Sequence, residues 1–354
     1  RVDSNLLLDM SGMLNDIGFN LDDELGVANM AEYHYDDGAV YGFPTKYENS
    51  RWILINEDMF KEAGLDIPYD GWTYSEFLAD AEKLTHGEGQ DKVYGVCWAR
   101  KQSGKSILYA LDGVLGANQI YKNEEGTEVN FDNDVYRAGL NLVKETLDKG
   151  YAIPIEDEFS EDISVANTFL QGKCAIMLGV AQMRLCMDQE NYPHDFMTAL
   201  VPAPVPDDEK YNTEFYRKQI GTTGAGDLLS ISANTKYPEA SFEFAMWYLK
   251  GGMSPLVQGG RIPLWNGVNK DEVLSVLKEK AQGSIDMDSM ENYLSLDTTQ
   301  GVAAIKGHAS SEISSAWFEE FDAMCYGKQS ADQTVQNMEK RGNELIQTEL
   351  SSQK

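Results

Sequence analysis

The chain has 354 residues and carries 58 acidic against 29 basic side chains, a formal net charge of −29 at pH 7. That length favours two domains over one, and a hydrophobic content of 42% is sufficient for packed cores rather than global disorder. Because a surface with this excess of negative charge repels the phosphates of nucleic acids and of anionic lipids, we expect neither as a partner. No apolar run approaches the length that a bilayer-spanning helix needs.

Five helices are indicated along the chain, each by a capping residue or by a proline at its first turn. Some also have a glycine just beyond their end, as Gly64 and Gly150 show. The residues that mark the starts are Asn56, Thr73, Asp132, Pro238 and Ser330.

Short apolar runs lie between these helices and predict buried strands. Continuous apolar runs of this length, separated by helices, are typical of parallel sheets that are covered on both faces. The predicted fold class is therefore α/β. The runs occupy residues 52–55, 93–97, 175–178 and 228–231.

Motifs for a cofactor, a metal ion or a nucleophile do not emerge. The run Gly-Lys-Ser at 104–106 resembles a phosphate loop, but position 99 holds alanine where its first glycine belongs. The four histidines are scattered, and the four cysteines contain no Cys-x-x-Cys pair, so we expect no metal and no cofactor. The cysteines are interpreted as core residues, with a disulfide between two of them left open.

Catalysis by a pair of carboxylates stays open as an alternative, because the two members need not be close in sequence. A different feature is more informative. Tyr47, Trp98 and Trp265 stand in loop-like or glycine-rich contexts, where a ring offers an apolar face to a sugar. The alternative for each ring is ordinary packing in a core.

Seven segments, in their order along the chain, resemble the extracellular solute-binding proteins (family 1) that serve ABC importers. Most members of that family bind carbohydrates and are related to maltose-binding protein. The first four segments are Tyr-Gly-Phe-Pro at 41–44, the strand at 52–56, the helix at 58–66 and Trp-Thr-Tyr-Ser-Glu-Phe at 72–77. The later three occupy residues 168–177, 238–244 and 260–263, the last reading Gly-Arg-Ile-Pro.

The resemblance implies two α/β lobes of the periplasmic-binding-protein type, with a ligand cleft between them that closes by a hinge motion. It places lobe 1 at residues 1–45 and 227–300, with its N-terminal part missing, and lobe 2 at 46–226 and 301–354. The three hinge crossings are expected near 44–50, 221–227 and 296–301.

The resemblance also suggests where a ligand would bind. Polar groups at the first crossing, residues 47–49, correspond to positions that contact sugar hydroxyls in relatives, and Gln182 stands where relatives often have a stacking tryptophan. The full set of expected ligand-binding residues is Tyr47, Glu48, Asn49, Trp98, Arg100, Gln182, Thr222, Thr223, Trp265 and His308. Because no basic cluster is evident along the sequence, a neutral sugar fits better than a phosphate or sulfate.

We therefore expect a non-enzymatic, monomeric protein that captures a carbohydrate, in particular an oligosaccharide, and delivers it to the permease subunits of an ABC importer. The family places such proteins outside the cytoplasm, either as cell-surface lipoproteins or in the periplasm. Two alternatives remain: a binder of another solute, such as a glycerol phosphoester, polyamine or peptide, and a glycoside hydrolase.

Overall fold

The computed structural model describes residues 5–26, 30, 33, 35, 38–49, 51–98, 120–160, 165–218, 225–252, 254–296 and 307–352. These residues form a mixed α/β fold that contains two separate sheets. The strands are β1 (Phe43–Tyr47), β2 (Trp52–Asn56), β3 (Tyr94–Cys97), β4 (Cys174–Leu178), β5 (Thr198–Pro202), β6 (Ala225–Leu229) and β7 (Ile262–Pro263).

The helices surround the sheets, and the two longest lie at the C-terminal end of the described residues. They are α1 (Ser11–Asp16), α2 (Leu21–Leu25), α3 (Glu57–Glu62), α4 (Tyr74–Leu84), α5 (Asp134–Asp148), α6 (Ile155–Ser160), α7 (Val165–Leu170), α8 (Met183–Cys186), α9 (Glu214–Arg217), α10 (Pro238–Trp247), α11 (Lys270–Ala281), α12 (Met287–Leu294), α13 (Ser310–Cys325) and α14 (Ala331–Ser352). Single turns of 3₁₀-helix occur at Gly89–Asp91, Val180–Gln182 and Ser254–Gly259, and a π-helical turn occurs at Tyr248–Gly252.

The predicted helix starts agree with the capping seen in the structure. Asn56 accepts a hydrogen bond from the backbone N–H of Met59. Thr73 and Glu76 form both bonds of a capping box, which satisfies two amide groups that the first turn of α4 would leave exposed. For α5 the cap is Asn133, one residue after the start expected from the sequence.

The smaller sheet has the order β6-β1-β7, with β1 antiparallel to both neighbours. Lys46, near the end of β1, lies opposite Gly226 on one side and Pro263 on the other. This sheet packs on a cluster of apolar side chains from the N-terminal helices and α10, namely Met10, Leu14, Leu25, Phe43, Phe242 and Leu249.

The larger sheet has the order β3-β4-β2-β5. Only β3 and β4 are parallel; β2 runs antiparallel to both β4 and β5. The expectation of parallel sheets is therefore wrong for most of the strand pairs. A continuous apolar run indicates that both faces of a strand are buried. An antiparallel strand that is covered on both sides has the same composition, so the run does not distinguish the two directions.

Both faces of the larger sheet are indeed covered. Ile53 and Ile55 of β2 pack on one face, in a cluster with α4, α5, α13 and α14, whereas Trp52 and Leu54 pack on the other. Successive side chains of a strand point to opposite faces, so β2 joins two cores. All five residues of β2 are buried.

Helices α11 and α12 help to cover one face of the larger sheet. Leu277 and Met290 belong to the same cluster as Leu54 and Leu200, and the backbone N–H of Leu200 donates to the Ser289 hydroxyl at 3.0 Å. Ile262 of β7 lies in that cluster as well, so the cluster connects the two sheets. The division into lobes at residues 1–45 with 227–300 and 46–226 with 301–354 stays a prediction.

Two of the four cysteines form a disulfide. Cys97 and Cys174, on the neighbouring strands β3 and β4, are bonded with their Cα atoms 6.3 Å apart, and Cys186 and Cys325 take no part in this disulfide. Within the described ranges, no helix is both long enough and apolar enough to span a membrane.

Candidate functional site

The chain passes from the smaller sheet to the larger one between Tyr47, the last residue of β1, and Trp52, the first of β2. We call this connection the crossing. Tyr293 of α12 fastens it: the Tyr47 hydroxyl donates to the Tyr293 backbone oxygen at 3.1 Å, and the Asn49 N–H donates to the Tyr293 hydroxyl at 2.7 Å. The two tyrosine rings meet edge to face, 5.1 Å between centroids.

Burial raises the pKa of both tyrosine hydroxyls above the usual value. The two phenols therefore stay protonated at any physiological pH and keep these hydrogen bonds. Asn49 is completely buried and its side-chain oxygen accepts the Arg51 N–H at 3.1 Å, so both its backbone and its side chain are held by hydrogen bonds.

Beside the crossing is a pocket of about 60 Å³, which we call the crossing pocket. It joins residues that the sequence holds far apart: the end of β1, the segment after β4, the turn before β7, and α12. Its lining residues are Lys46, Tyr47, Glu48, Val180, Met183, Arg184, Gly260, Arg261 and Tyr293.

Ion pairs organise the charged side of this pocket. Lys46 pairs with Glu48, and its ammonium nitrogen lies 3.6 Å from a carboxylate oxygen of Asp227. Asp227 of β6 also pairs with Arg261, next to β7. These contacts cross all three strands of the smaller sheet, so the charged side chains hold one another in place.

Gly260 allows the turn before β7 to approach α8. Its φ of +76° is a left-handed conformation that residues with a side chain rarely adopt. A Cβ atom at this position would lie 2.7 Å from the Met187 methyl carbon and 2.9 Å from the Arg184 Cβ. The turn that carries Arg261 can therefore rest directly on the base of Arg184.

Of the residues predicted to bind ligand, Tyr47 and Glu48 line the crossing pocket. Gln182 ends the 3₁₀ turn Val180–Gln182; its sequence neighbours Val180 and Met183 line the pocket, but Gln182 does not. Asn49 lies within the crossing. Arg100, Thr222 and Thr223 lie outside the described residues.

Trp98 lies in the large hydrophobic cluster of the four-stranded sheet and is only 5% exposed. Its indole N–H donates to the Thr146 hydroxyl at 2.8 Å, and its ring lies 5.8 Å from that of Phe77 between centroids. This side chain packs in the core and does not line the crossing pocket.

Trp265 and His308 also have partners away from the crossing pocket. The Trp265 indole N–H donates to the Glu24 carboxylate at 2.6 Å, which ties the segment after β7 to α2. His308 Nδ1 lies 3.0 Å from the Glu349 carboxylate. The backbone N–H of Ala309 donates to that same carboxylate, so the contact ties the start of α13 to α14.

Three residues that line the pocket were not predicted from the sequence: Arg184, Arg261 and Tyr293. Arg261 falls inside the Gly-Arg-Ile-Pro segment, so that motif could have indicated it, whereas nothing in the local sequence marks Arg184 or Tyr293. Across the described ranges, no group of three or more His, Cys, Asp or Glu side chains is placed to hold a metal ion.

A larger pocket of about 440 Å³ lies between α1, α2 and residues 38–40. Its lining comes only from the N-terminal part of the chain and includes Leu14, Asn15, Phe19 and Val40. The crossing pocket, although smaller, combines the end of β1, the segment after β4, the turn before β7 and α12. It is therefore the better candidate for a site coupled to movement of the two sheets.

Known proteins match this chain in both sequence and structure. Residues 2–250 match the family of bacterial extracellular solute-binding proteins. A sugar transporter of Rhizobium etli in an open conformation is similar with a TM-score of 0.69 and 17% identity, over 98% of this chain and 81% of that one.

Two further solved structures are similar to a comparable degree. The ABC substrate-binding protein of Listeria monocytogenes in complex with cycloalternan has a TM-score of 0.70 and 16% identity, over 97% of this chain and 81% of that one. The GacH receptor of Streptomyces glaucescens has a TM-score of 0.69 and 16% identity, over 98% and 80%. With its two-lobed α/β fold and its family match over residues 2–250, this chain belongs to the bacterial extracellular solute-binding proteins.

Proposed function

We propose that this protein captures a carbohydrate, in particular an oligosaccharide, for an ABC importer, and that it does so without catalysis. The observation that carries the proposal is the position of the crossing pocket, which lies where the chain passes between the two sheets and is lined by the end of β1, the segment after β4 and α12. Proteins of similar fold include one in complex with cycloalternan and one in complex with acarbose.

Closure follows from this placement. A solute that contacts residues 47–48 on one side and the segment after β4 on the other gains binding energy only when the two sides approach each other. Such a ligand shifts the population toward the closed conformation, because the contacts that it makes only there give it a higher affinity for that conformation. The closed form is then the one that the permease subunits recognise, and the protein acts as a monomer.

The proposed ligand-binding residues are centred on Tyr47, Glu48, Asn49 and Gln182, with Arg100, Thr222 and Thr223 also assigned to the site. We assign a supporting role, without contact to the ligand, to Trp98, Trp265 and His308. The Cys97–Cys174 disulfide agrees with an oxidising location outside the cytoplasm, at the cell surface with a lipid anchor or in the periplasm.

A thermal-shift screen against mono- and oligosaccharides tests this function, with chromatography of every sugar afterwards. A ligand at 100 times its dissociation constant stabilises the native state by about 2.7 kcal/mol, enough to raise the melting temperature by a degree or more. A shift with intact sugar supports the proposal. Cleaved sugar would replace it with a glycoside hydrolase, and a shift only with a glycerol phosphoester, polyamine or peptide would replace it with a binder of that solute.

A further inference from the structure

The charge composition of the crossing pocket is the reverse of that of the whole chain. The pocket lining contains three basic residues, Lys46, Arg184 and Arg261, and one acidic residue, Glu48. Over the whole chain, 29 basic residues stand against 58 acidic ones. A pocket that merely sampled this composition would be acidic, so a basic majority indicates a site suited to a negatively charged group.

Two of the three cations are already paired with carboxylates of the same sheet. Lys46 is bound by Glu48 and Asp227, and Arg261 by Asp227. Arg184 differs from both. It is exposed, and in the described part of the chain its guanidinium makes no ion pair and no hydrogen bond.

The backbone brings the two arginines together. The turn at Gly260 lies close to the base of Arg184, because a Cβ atom added at Gly260 would be only 2.9 Å from the Arg184 Cβ, so Arg184 and Arg261 start from neighbouring points of the pocket wall. A guanidinium presents parallel N–H groups that match the two oxygens of a carboxylate. The pocket volume of about 60 Å³ is enough for a small polar substituent such as a carboxylate, with the sugar ring extending toward the open side.

Resting on the proposed function, we propose that the carbohydrate is acidic: a sugar of the uronate type whose carboxylate binds Arg184, with Arg261 beside it. The sequence favoured a neutral sugar because no basic cluster is visible along it. The three cations stand at positions 46, 184 and 261, and only the fold assembles them. The local positive charge also offsets the repulsion that a chain of net charge −29 exerts on an anionic ligand.

Isothermal titration calorimetry with matched sugars tests the proposal. Each acid is paired with the neutral sugar that differs from it only at carbon 6: glucuronate with glucose, galacturonate with galactose, and cellobiouronate with cellobiose. We expect at least one acid to bind about 10-fold or more tightly than its neutral partner, because a charge-assisted hydrogen bond is added. Its affinity should fall as salt is raised, since the contact is partly exposed.

A pair of charge variants then locates the effect. R184Q should weaken binding of the acidic sugar about 10- to 100-fold and leave the weaker binding of its neutral partner unchanged. K340Q is the control: it removes the same unit of charge from a side chain that is 76% exposed on α14, and it should leave both affinities unchanged.

The outcomes separate this proposal from the one it rests on. If neutral sugars bind as tightly as their acids, the acidic ligand is ruled out while carbohydrate binding stands. If R184Q binds the acid with wild-type affinity, the assignment of the carboxylate to Arg184 is wrong while carbohydrate binding again stands. If no sugar, acidic or neutral, produces heat of binding or a thermal shift, both proposals are wrong.

Discussion

The four-stranded sheet and the crossing pocket are built from residues of opposite character. All five residues of β2 are buried, with alternate side chains in two hydrophobic clusters. Around the pocket, by contrast, charged side chains remain partly in solvent, with Asp227 41% and Arg261 45% exposed. Burial of apolar surface supplies most of the folding free energy, whereas ion pairs near solvent contribute little to stability and much to selectivity. Stability should therefore reside in the first region and ligand choice in the second.

Removing a large ring from the sheet region is expected to have the largest effect on stability. Trp317 is 1% exposed and stacks on Phe131 at 5.3 Å between centroids. W317A should lower the free energy of unfolding by about 3–5 kcal/mol, as measured by urea denaturation. F244A, at a ring that is 57% exposed, should change it by no more than about 0.5 kcal/mol. Similar losses for both variants would contradict the assigned core.

A side chain at Gly260 tests whether the pocket depends on close backbone approach. G260A combines a left-handed backbone with a contact of 2.9 Å to the Arg184 Cβ and of 3.1 Å to its Cα, and should destabilise the protein by about 2–4 kcal/mol. G64A is the matched control, because Gly64 has a similar φ of +68° but nothing within 4 Å of the added methyl group. It should cost only about 1–2 kcal/mol. Equal costs would mean that the contact with α8 is not tight.

Loss of the Tyr293 hydroxyl tests whether its hydrogen bond stabilises the crossing. Y293F removes the oxygen that accepts the Asn49 N–H. The buried N–H would then lack an acceptor, which should lower the free energy of unfolding by about 1–3 kcal/mol. Sugar affinity should fall as well, because Asn49, next to the pocket residues Tyr47 and Glu48, would lose a hydrogen bond that holds it. Y47F, which removes only a donor to a backbone oxygen, should cost about 0.5–1.5 kcal/mol. If Y293F matches wild type in both measurements, the crossing is held by something else.

The smallest expected effect is a pH dependence within the sheet region. Burial raises the pKa of Asp80, on α4, from 3.8 to about 6, against the opposing influence of Lys83. Between these values the native state binds more protons than the unfolded state, so stability falls as pH rises through this window. D80N should be more stable than wild type at pH 7 by less than about 1 kcal/mol, since the side chain is half solvated. The difference should vanish below about pH 4; a difference independent of pH would refute the raised pKa.

Local patterns predicted the elements well where the physical cause is itself local. The capping box of Thr73 and Glu76 and the cap at Asn56 depend on residues within one helical turn, and both occur in the structure. The buried strand at 52–55 could be recognised from its apolar run alone. Strand direction could not, because burial on two faces has the same composition in parallel and antiparallel sheets.

The site was only partly accessible from the sequence because its parts are far apart along the chain. Tyr47 and Glu48 were identified through the resemblance, and they line the pocket. Arg184 and Tyr293 stand in helices with no local signal, and only tertiary packing brings them to the crossing. Trp98 shows the opposite case: a ring beside a loop in sequence is an element of the core in space.

The most direct test of the central claim is amide hydrogen exchange with and without a saturating sugar identified by the screen. If the crossing pocket is the ligand site, protection should increase at residues 46–49, 180–184 and 260–261, which line or adjoin it. Increased protection confined to residues 11–22 and 38–40, around the larger pocket, with the crossing unchanged, would contradict the account.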